Sequence, residues 1–267
     1  MPVTGSPSEV GLVYEDVSFQ TRGDGIELKG WFIPSDSDMA LLVIHGGFEN
    51  RLDTIVDTLD FAHDLVGRGY NLLLFDLRGR GESSGKGRSL SNIDDDIGGA
   101  IDYLEGRGFS SGNIGIIGFC SGAAASAIFA SGNNVGALIL DGCFPSVESM
   151  VTRQASQRHI PIFLLDFFWP GVLQAGKIIY GFNLVNPIDV ISDIRCPVLF
   201  IHEEFDDLIT LDDVYLLFEK ADNYNDQVWQ ITGADHSEGY TKDPDAFVAK
   251  IDTFLRGSLD SLNPRTR

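Results

Sequence analysis

Residues 114–127 read IGIIGFCSGAAASA, and this stretch decides the fold. Its first six residues form an apolar run that is typical of a buried strand. The alanines that follow Ser121 favour a helix. Between the two, Gly118 and Gly122 each stand two positions from Cys120. A tight strand-to-helix turn of this kind, a nucleophile elbow, needs small residues there, because the central residue is held at strained backbone angles.

Cys120 occupies the reactive position of this turn. Ser121 is not the candidate, since that choice would place Phe119 where a small residue is needed. A thiol at position 120 stands at a helix N-terminus, where free backbone N–H groups favour an anion such as a thiolate. Most such turns carry serine, so Cys120 is either a native nucleophile or a replacement for a serine. The alternative role for this cysteine is to fill space in the core.

Seven further runs of apolar or alternating residues surround this strand. The first two alternate and predict an antiparallel hairpin around a turn at residues 22–25. The others show little alternation, which is typical of parallel strands with both faces covered. The seven runs are 13–20, 26–33, 40–45, 70–75, 136–140, 198–202 and 227–231.

Apolar residues at helical spacing lie between most of these runs. They cover residues 54–66, 93–104, 214–221 and 244–255. Alternation of strands and helices predicts an α/β protein with a doubly wound, mostly parallel eight-stranded sheet, and ligands at the carboxyl ends of its strands. No repeat or linker divides the sequence, so we predict that residues 1–267 form a single domain.

One segment interrupts this alternation after the sixth strand. Residues from about 144 to 194 are rich in aromatic residues and prolines, and a loop of this length is seldom structureless. We predict a mostly helical cap, inserted after strand six, that lies over the site. Phe144, Phe167 and Trp169 are the candidate substrate-binding residues, lining an apolar cavity. The alternative is an extra layer of core packing without substrate contact.

A cysteine nucleophile needs a base, and His236 is the candidate among the five histidines. It stands in a glycine-containing loop directly after the last strand. The imidazole in turn needs a carboxylate that orients it and stabilises its cation. The acidic loop after the seventh strand offers Asp206, our candidate, with Asp207 as the alternative. His45 and His202 stand at strand ends, where we expect hydrogen bonds to loop backbone.

The oxyanion that forms during attack on a carbonyl needs two N–H donors. The backbone of Ser121, the residue after the nucleophile, is the first candidate. The second comes from the glycine-rich loop after the third strand, where Gly47 and Phe48 are the candidates. These N–H groups would complete an oxyanion hole.

The composition limits which partners the protein can bind and where in the cell it is expected. Thirty-nine acidic residues against nineteen basic ones give a net charge of −20, which argues against nucleic acid as a partner. The chain has no apolar run of membrane-spanning length and no signal-peptide pattern, so we expect a cytoplasmic protein without membrane contact. Three widely spaced cysteines indicate neither disulfides nor a metal site. We expect no cofactor, and a homodimer is suggested only by the frequency of such assemblies.

Together these residues resemble the α/β-hydrolase superfamily, from about Val13 to Leu255. The matching landmarks are the turn at Cys120, His45-Gly46-Gly47, residues 76–83, residues 141–144, residues 187–189, the loop of Asp206 and the final His236. The resemblance implies that residues 76–83 form a structural turn without a catalytic role. Family members usually have glycine where this chain has Glu203. In having a cysteine at this turn, the chain resembles dienelactone hydrolases, which are members of this superfamily.

The leading hypothesis is hydrolysis of an ester, lactone or thioester of a small, largely apolar substrate. Cys120, His236 and Asp206 would act through an acyl-thioester intermediate. A second hypothesis is an acyltransferase or cyclase, in which an alcohol or amine takes the acyl group from the same intermediate. A third is a non-catalytic member of the fold that binds a small ligand. Acceptor-dependent product formation identifies the second, and the absence of covalent labelling identifies the third.

Overall fold

The computed structural model describes residues 2–47, 49–85, 92–161, 163, 167–171, 174–175 and 184–259. Its strands are β1 Glu15–Gln20, β2 Glu27–Ile33, β3 Ala40–Ile44, β4 Asn71–Phe75, β5 Ile114–Phe119, β6 Ala137–Asp141, β7 Val198–Glu203 and β8 Gln227–Ile231. They form an eight-stranded sheet in the order β1-β2-β4-β3-β5-β6-β7-β8. β2 is antiparallel to both β1 and β4, and the other neighbours are parallel. The predicted fold class, a mostly parallel α/β sheet of eight strands, is confirmed.

The helices fill the intervals between the strands. They are α1 Thr58–Gly67, α2 Ile93–Gly106, α3 Ser121–Gly132, α4 Val147–Gln157, α5 Pro187–Val190, α6 Leu211–Lys220, α7 Gly239–Lys242 and α8 Pro244–Leu259. The helix predicted over residues 54–66 begins only at Thr58. Asp53 holds the preceding turn, because its Oδ1 accepts the N–H of Ile55 at 3.0 Å and its carbonyl accepts the N–H of Thr58 at 3.2 Å. This turn takes the backbone groups that an earlier helix start would have used.

The sheet separates two apolar layers, and β3 shows why. Leu42 and Ile44 pack into one cluster with α2 and α3. Leu41 and Val43 pack into the other cluster with α1 and α8. Successive residues of a strand point to opposite faces, so a strand that is covered on both sides needs apolar residues throughout. The continuous apolar runs in the sequence have this physical origin.

The parallel strands bring four loops to one edge of the sheet. Cys120 follows β5, Asp141 ends β6, Asp206 follows β7 and His236 follows β8. The carboxyl ends of parallel strands lie at the same edge, which is where ligands of such sheets bind. The sequence-predicted chemistry therefore converges on this edge.

The insertion between β6 and β7 contacts the loop that carries Asp206. From α4, Arg153 donates from Nη1 to the carbonyl of Leu208 at 2.7 Å and pairs with Asp213. Residues 162, 164–166, 172–173 and 176–183 of the predicted cap lie outside the described residues. Within the described ranges, no helix has both the length and the apolar character needed to cross a membrane.

Candidate active site

Cys120 lies in the turn between β5 and α3 with a strained backbone. Its φ of 52° and ψ of −115° fall outside the regions that residues with a side chain readily adopt. Its N–H donates to the carbonyl of Asp141 at 2.9 Å, and its carbonyl accepts the N–H of Ala124 at 3.2 Å. The side chain is half-buried. Neighbouring elements therefore hold the strain in place, as they do at functional turns.

Gly118 and Gly122 leave no space for side chains beside this turn. A Cβ on Gly118 would lie 2.6 Å from the carbonyl oxygen of Gly122. A Cβ on Gly122 would lie 2.5 Å from the carbonyl oxygen of Ile44. Both contacts are with backbone, so no change of rotamer could relieve them. The geometry explains the two glycines that the sequence pattern singled out.

His236 is hydrogen-bonded to Asp206. Its Nδ1 donates to Asp206 Oδ2 at 2.6 Å, and the side chain of Asp206 is fully buried. The other carboxylate oxygen, Oδ1, accepts the N–H groups of Leu208 and Ile209, each at 2.8 Å. These two bonds fix the carboxylate where it meets the ring. Asp207 is exposed, so the structure brings Asp206 and not Asp207 to His236.

The surroundings of His236 favour its protonated form. Burial by itself lowers the pKa of the imidazole, but Asp206 and Cys120 outweigh it and raise that pKa to about 11. The second ring nitrogen, Nε2, is buried and has no hydrogen-bond partner of standard geometry among the described residues. A Cβ on Gly142 would lie 2.8 Å from Cε1 of the ring. The ring is thus fixed between Asp206 and this glycine, and it can retain a proton taken from the thiol.

Two of the predicted oxyanion donors lie side by side. Ser121 begins α3, so its N–H is among the first four of a helix, which have no acceptor within the helix. A Cβ on Gly47 would lie 2.9 Å from Ser121 Oγ, and a Cβ on Gly46 would lie 3.8 Å from Cys120 Cβ. The loop after β3 therefore adjoins the turn. Phe48, the other candidate of this loop, lies outside the described residues.

The two histidines at strand ends differ in their contacts. His45 joins two loops, since its Nδ1 donates to the carbonyl of Gly46 at 2.7 Å and its Nε2 accepts the N–H of Leu77 at 3.2 Å. This pattern needs a neutral ring with its proton on Nδ1, and burial lowers the pKa of His45 accordingly. The expected backbone bonds are present there. His202 lacks one at Nδ1, which is buried with no partner among the described residues.

The three aromatic residues predicted to bind substrate lie in different settings. Phe144 is 1% exposed and packs within the hydrophobic core. Phe167 is 77% exposed, and its ring meets that of Phe168 edge-on, with centroids 5.0 Å apart. Trp169 is half-buried. The contacts of Phe144 are those of core packing, and substrate contact through Phe167 and Trp169 stays a prediction.

A cavity of about 320 Å³ lies beside the loop after β3. Its walls come from the N-terminal segment, this loop and the start of α1, and they include the carboxyl groups of Glu9, Glu49, Asp53 and Asp57. None of its lining residues is aromatic, so it is not the apolar cavity predicted from the cap. Among the described residues, no group of three or more His, Cys, Asp or Glu side chains could hold a metal ion.

Two buried carboxyl groups next to the site were not among the predicted functional residues. Asp141 and Glu203 are both 0% exposed and end the neighbouring strands β6 and β7. The sequence signalled Glu203 only as a departure from the glycine that the resemblance leads one to expect. Nothing in the local pattern signalled its contact with Asp141, since that contact depends on how the two strands are aligned.

The chain matches known proteins over most of its length. A model described as "Alpha/beta hydrolase family" matches residues 41–250. The uncharacterized protein YqkD of Bacillus subtilis is 28% identical over 254 residues, which cover 89% of this chain and 78% of that protein. The alpha/beta hydrolase domain-containing protein WAV2 of Arabidopsis thaliana is 28% identical over 236 residues, covering 85% and 72%. The solved structure of the Pyrococcus furiosus esterase Pf2001 aligns with a TM-score of 0.81 at 24% identity, over 97% of each chain.

Proposed function

The chain belongs to the alpha/beta hydrolase family, and we propose that it hydrolyses a carboxylic ester, lactone or thioester through a cysteine nucleophile. One observation carries the proposal: Cys120 has a strained backbone, and its side chain interacts with an imidazole that Asp206 holds. The likeness to the esterase Pf2001 shows a shared fold, and it supports a simple ester as the first substrate to test.

In the first half-reaction the thiol proton of Cys120 moves to Nε2 of His236, and the thiolate sulfur attacks the carbonyl carbon. A C–S bond forms and the carbonyl becomes an oxyanion, which the N–H groups of Ser121 and of the loop at Gly47 stabilise. When the oxyanion collapses, the bond to the leaving oxygen or sulfur breaks. That atom takes the proton from His236, which leaves an acyl thioester on Cys120.

In the second half-reaction His236 takes a proton from water, and the resulting hydroxide attacks the thioester carbonyl. The C–S bond breaks, the acid is released and the sulfur of Cys120 takes the proton back. Asp206 keeps the ring oriented and stabilises its cation in both halves. Amides fit this scheme poorly, because a thiolate leaves the tetrahedral intermediate more easily than an amine does.

Hydrolysis of p-nitrophenyl acetate tests the proposal. We expect Cys120→Ala and His236→Ala each to lower kcat/KM by about 100-fold or more. Cys196→Ala is the matched control, because burial raises the pKa of the Cys196 thiol to about 12 and keeps it protonated at neutral pH. Unchanged activity in Cys120→Ala would overturn the proposal. Product that forms only with an added alcohol or amine would replace hydrolysis by acyl transfer.

A further inference from the structure

Asp141 and Glu203 lie side by side under the site. β6 and β7 are aligned so that Asp141 is paired with Ile201. Paired residues of parallel neighbours share a face of the sheet, and so do residues two apart on one strand. Glu203 therefore projects on the same face as Asp141, and both carboxyl groups are fully buried.

Within the described part of the chain, neither carboxyl group receives a hydrogen bond from an amide, hydroxyl or cationic donor. All four oxygens are buried and lack such a partner among the described residues. Two bare carboxylates in contact would repel each other in a medium that solvates neither, so the pair retains a proton. Burial raises the pKa of Asp141 to about 7. Burial and the neighbouring Asp141 raise the pKa of Glu203 well above its usual range.

The segment from His236 to Gly239 lies next to this pair at two points. Gly142 follows Asp141 with a φ of 60°, and a Cβ on it would lie 2.8 Å from Cε1 of the imidazole. A Cβ on Gly239 would lie 3.1 Å from Glu203 Oε1. The ring of His236 therefore packs against the residue that follows Asp141, and the backbone that follows His236 packs against Glu203.

The charges around the pair couple it to the reacting groups. The titratable groups that face it are His236, Asp206 and Cys120. Among these, only the imidazole carries a positive charge when protonated, and that charge favours ionisation of both Asp141 and Glu203. By reciprocity, a negative charge on the pair favours the imidazolium form.

We propose that Asp141 and Glu203 are positioning residues for the reaction of Cys120, an inference that rests on the proposed function. By sharing one proton, the pair places a single buried negative charge beneath His236. This charge stabilises the imidazolium that forms when the thiol or water gives up its proton. The shared proton stays within the pair through both half-reactions, so no bond of the substrate is made or broken by these residues.

The isosteric double variant Asp141→Asn/Glu203→Gln tests the proposal, because its two amides can bond to each other and carry no charge. We expect kcat for p-nitrophenyl acetate to fall by about tenfold, the change that corresponds to about one pKa unit of lost stabilisation, with KM unchanged. Asp207→Asn, which removes an exposed charge from the neighbouring loop, is the control and leaves both constants unchanged.

The pH dependence of kcat/KM in the single variant Glu203→Gln separates a role in catalysis from a purely structural role. In the wild type the charge is present above about pH 7, where Asp141 is ionised, and is lost below it. The amide introduced by Glu203→Gln would donate an N–H to ionised Asp141 and so lower the pKa of that carboxyl group. We expect full kcat/KM at pH 8 and an acid limb that lies at lower pH than in the wild type. A profile that superimposes on that of the wild type contradicts the proposal.

Nitrogen NMR of the imidazole of His236 separates this proposal from the proposed function, because it needs no turnover. In the double variant, His236 should lose its proton at a lower pH than it does in the wild type or in Asp207→Asn. If it titrates unchanged and kcat is that of the wild type, the pair has no positioning role. If the titration shifts but no acyl group ever forms on Cys120, the pair still acts on the imidazole, and it is the proposed function that fails.

Discussion

Two fully buried aspartates at the same edge of the sheet, Asp76 after β4 and Asp141 at the end of β6, have opposite surroundings. Asp76 accepts the backbone N–H and the Nη1 of Arg51, at 2.8 and 2.9 Å, and the N–H of Glu82 at 2.9 Å. Asp141 receives no such donor among the described residues and lies against Glu203. The two carboxyl groups are therefore equally buried but have different hydrogen-bond partners. The number of donors decides whether a buried carboxyl group bonds to the surrounding backbone and side chains or shares a proton with a neighbouring acid.

The donors at Asp76 also hold a loop in place. Ser83 Oγ donates to the carbonyl of Asp76 at 2.6 Å, and the guanidinium of Arg51 stacks 4.2 Å from the ring of Trp31. These contacts fit the structural turn that the resemblance implied for residues 76–83. Asp141 and Glu203, by contrast, lie beneath His236, where a charge can act on the reaction.

The largest expected effect comes from Asp206, which has both a full set of donors and a contact with His236. Asp206→Asn keeps the shape but removes the charge that stabilises the imidazolium. We expect kcat for p-nitrophenyl acetate to fall by about 10²–10⁴-fold, the usual contribution of a general base. A kcat equal to that of the wild type would mean that another group orients the ring.

A large loss of stability is expected at Asp76. Asp76→Asn removes the buried counter-charge of the Arg51 guanidinium and leaves it paired with the exposed Glu82. Breaking a buried ion pair in this way costs about 3–5 kcal/mol. Urea unfolding measures the loss, with Asp207→Asn as the reference. An unfolding free energy within about 1 kcal/mol of the wild type would show that Asp76 does not depend on its donors.

A gain in the free energy of unfolding, in contrast to the loss at Asp76, is expected for Asp141→Asn/Glu203→Gln. The folded-state pKa of Asp141 is raised to about 7 from a usual 3.8, so the folded protein binds more protons than the unfolded chain within that window. Stability is therefore lost as the pH rises from about 4 to 7. The double variant avoids this loss. We expect its unfolding free energy to exceed that of the wild type by about 1–4 kcal/mol at pH 8, with the difference shrinking towards pH 4; an equal or lower value at pH 8 contradicts the comparison.

The smallest effect is expected at Asp207, which is exposed next to the buried Asp206. Asp207→Asn should change the unfolding free energy by less than about 0.5 kcal/mol and leave kcat unchanged. A thermal melt and a steady-state assay suffice to check it. A loss of activity comparable to that of Asp206→Asn would show that the two acids are not separated by their burial.

The sequence predicts most of the fold because burial on two faces demands continuous apolar runs in the inner strands, and each of the eight strands coincides with one of the predicted runs. The turn at Cys120 is predictable for a similar reason, since Gly118 and Gly122 are required by contacts with backbone. Adjacent acids are harder to tell apart. Asp206 differs from Asp207 in being buried and in having its Oδ1 accept two backbone N–H groups, which composition does not reveal.

Contacts between distant segments could not be predicted. The pairing of Asp141 with Glu203 depends on the alignment of β6 and β7, which no local pattern specifies. Phe144, selected for its place at the start of the insertion, packs in the core instead. Local aromatic content signals burial of some kind, and whether a ring contacts the core or a ligand depends on the neighbours that the fold provides.

The most direct test of the account is the mass of the protein quenched at early times after mixing with p-nitrophenyl acetate. We expect the protein to gain one acetyl group, and peptide mapping to place it on Cys120. Cys143 and Cys196 should stay unmodified, because burial raises the pKa of both thiols. The adduct should accumulate in His236→Ala no faster than in the wild type and be absent from Cys120→Ala. Steady release of nitrophenol with no adduct on Cys120 at any time would contradict covalent catalysis by this residue.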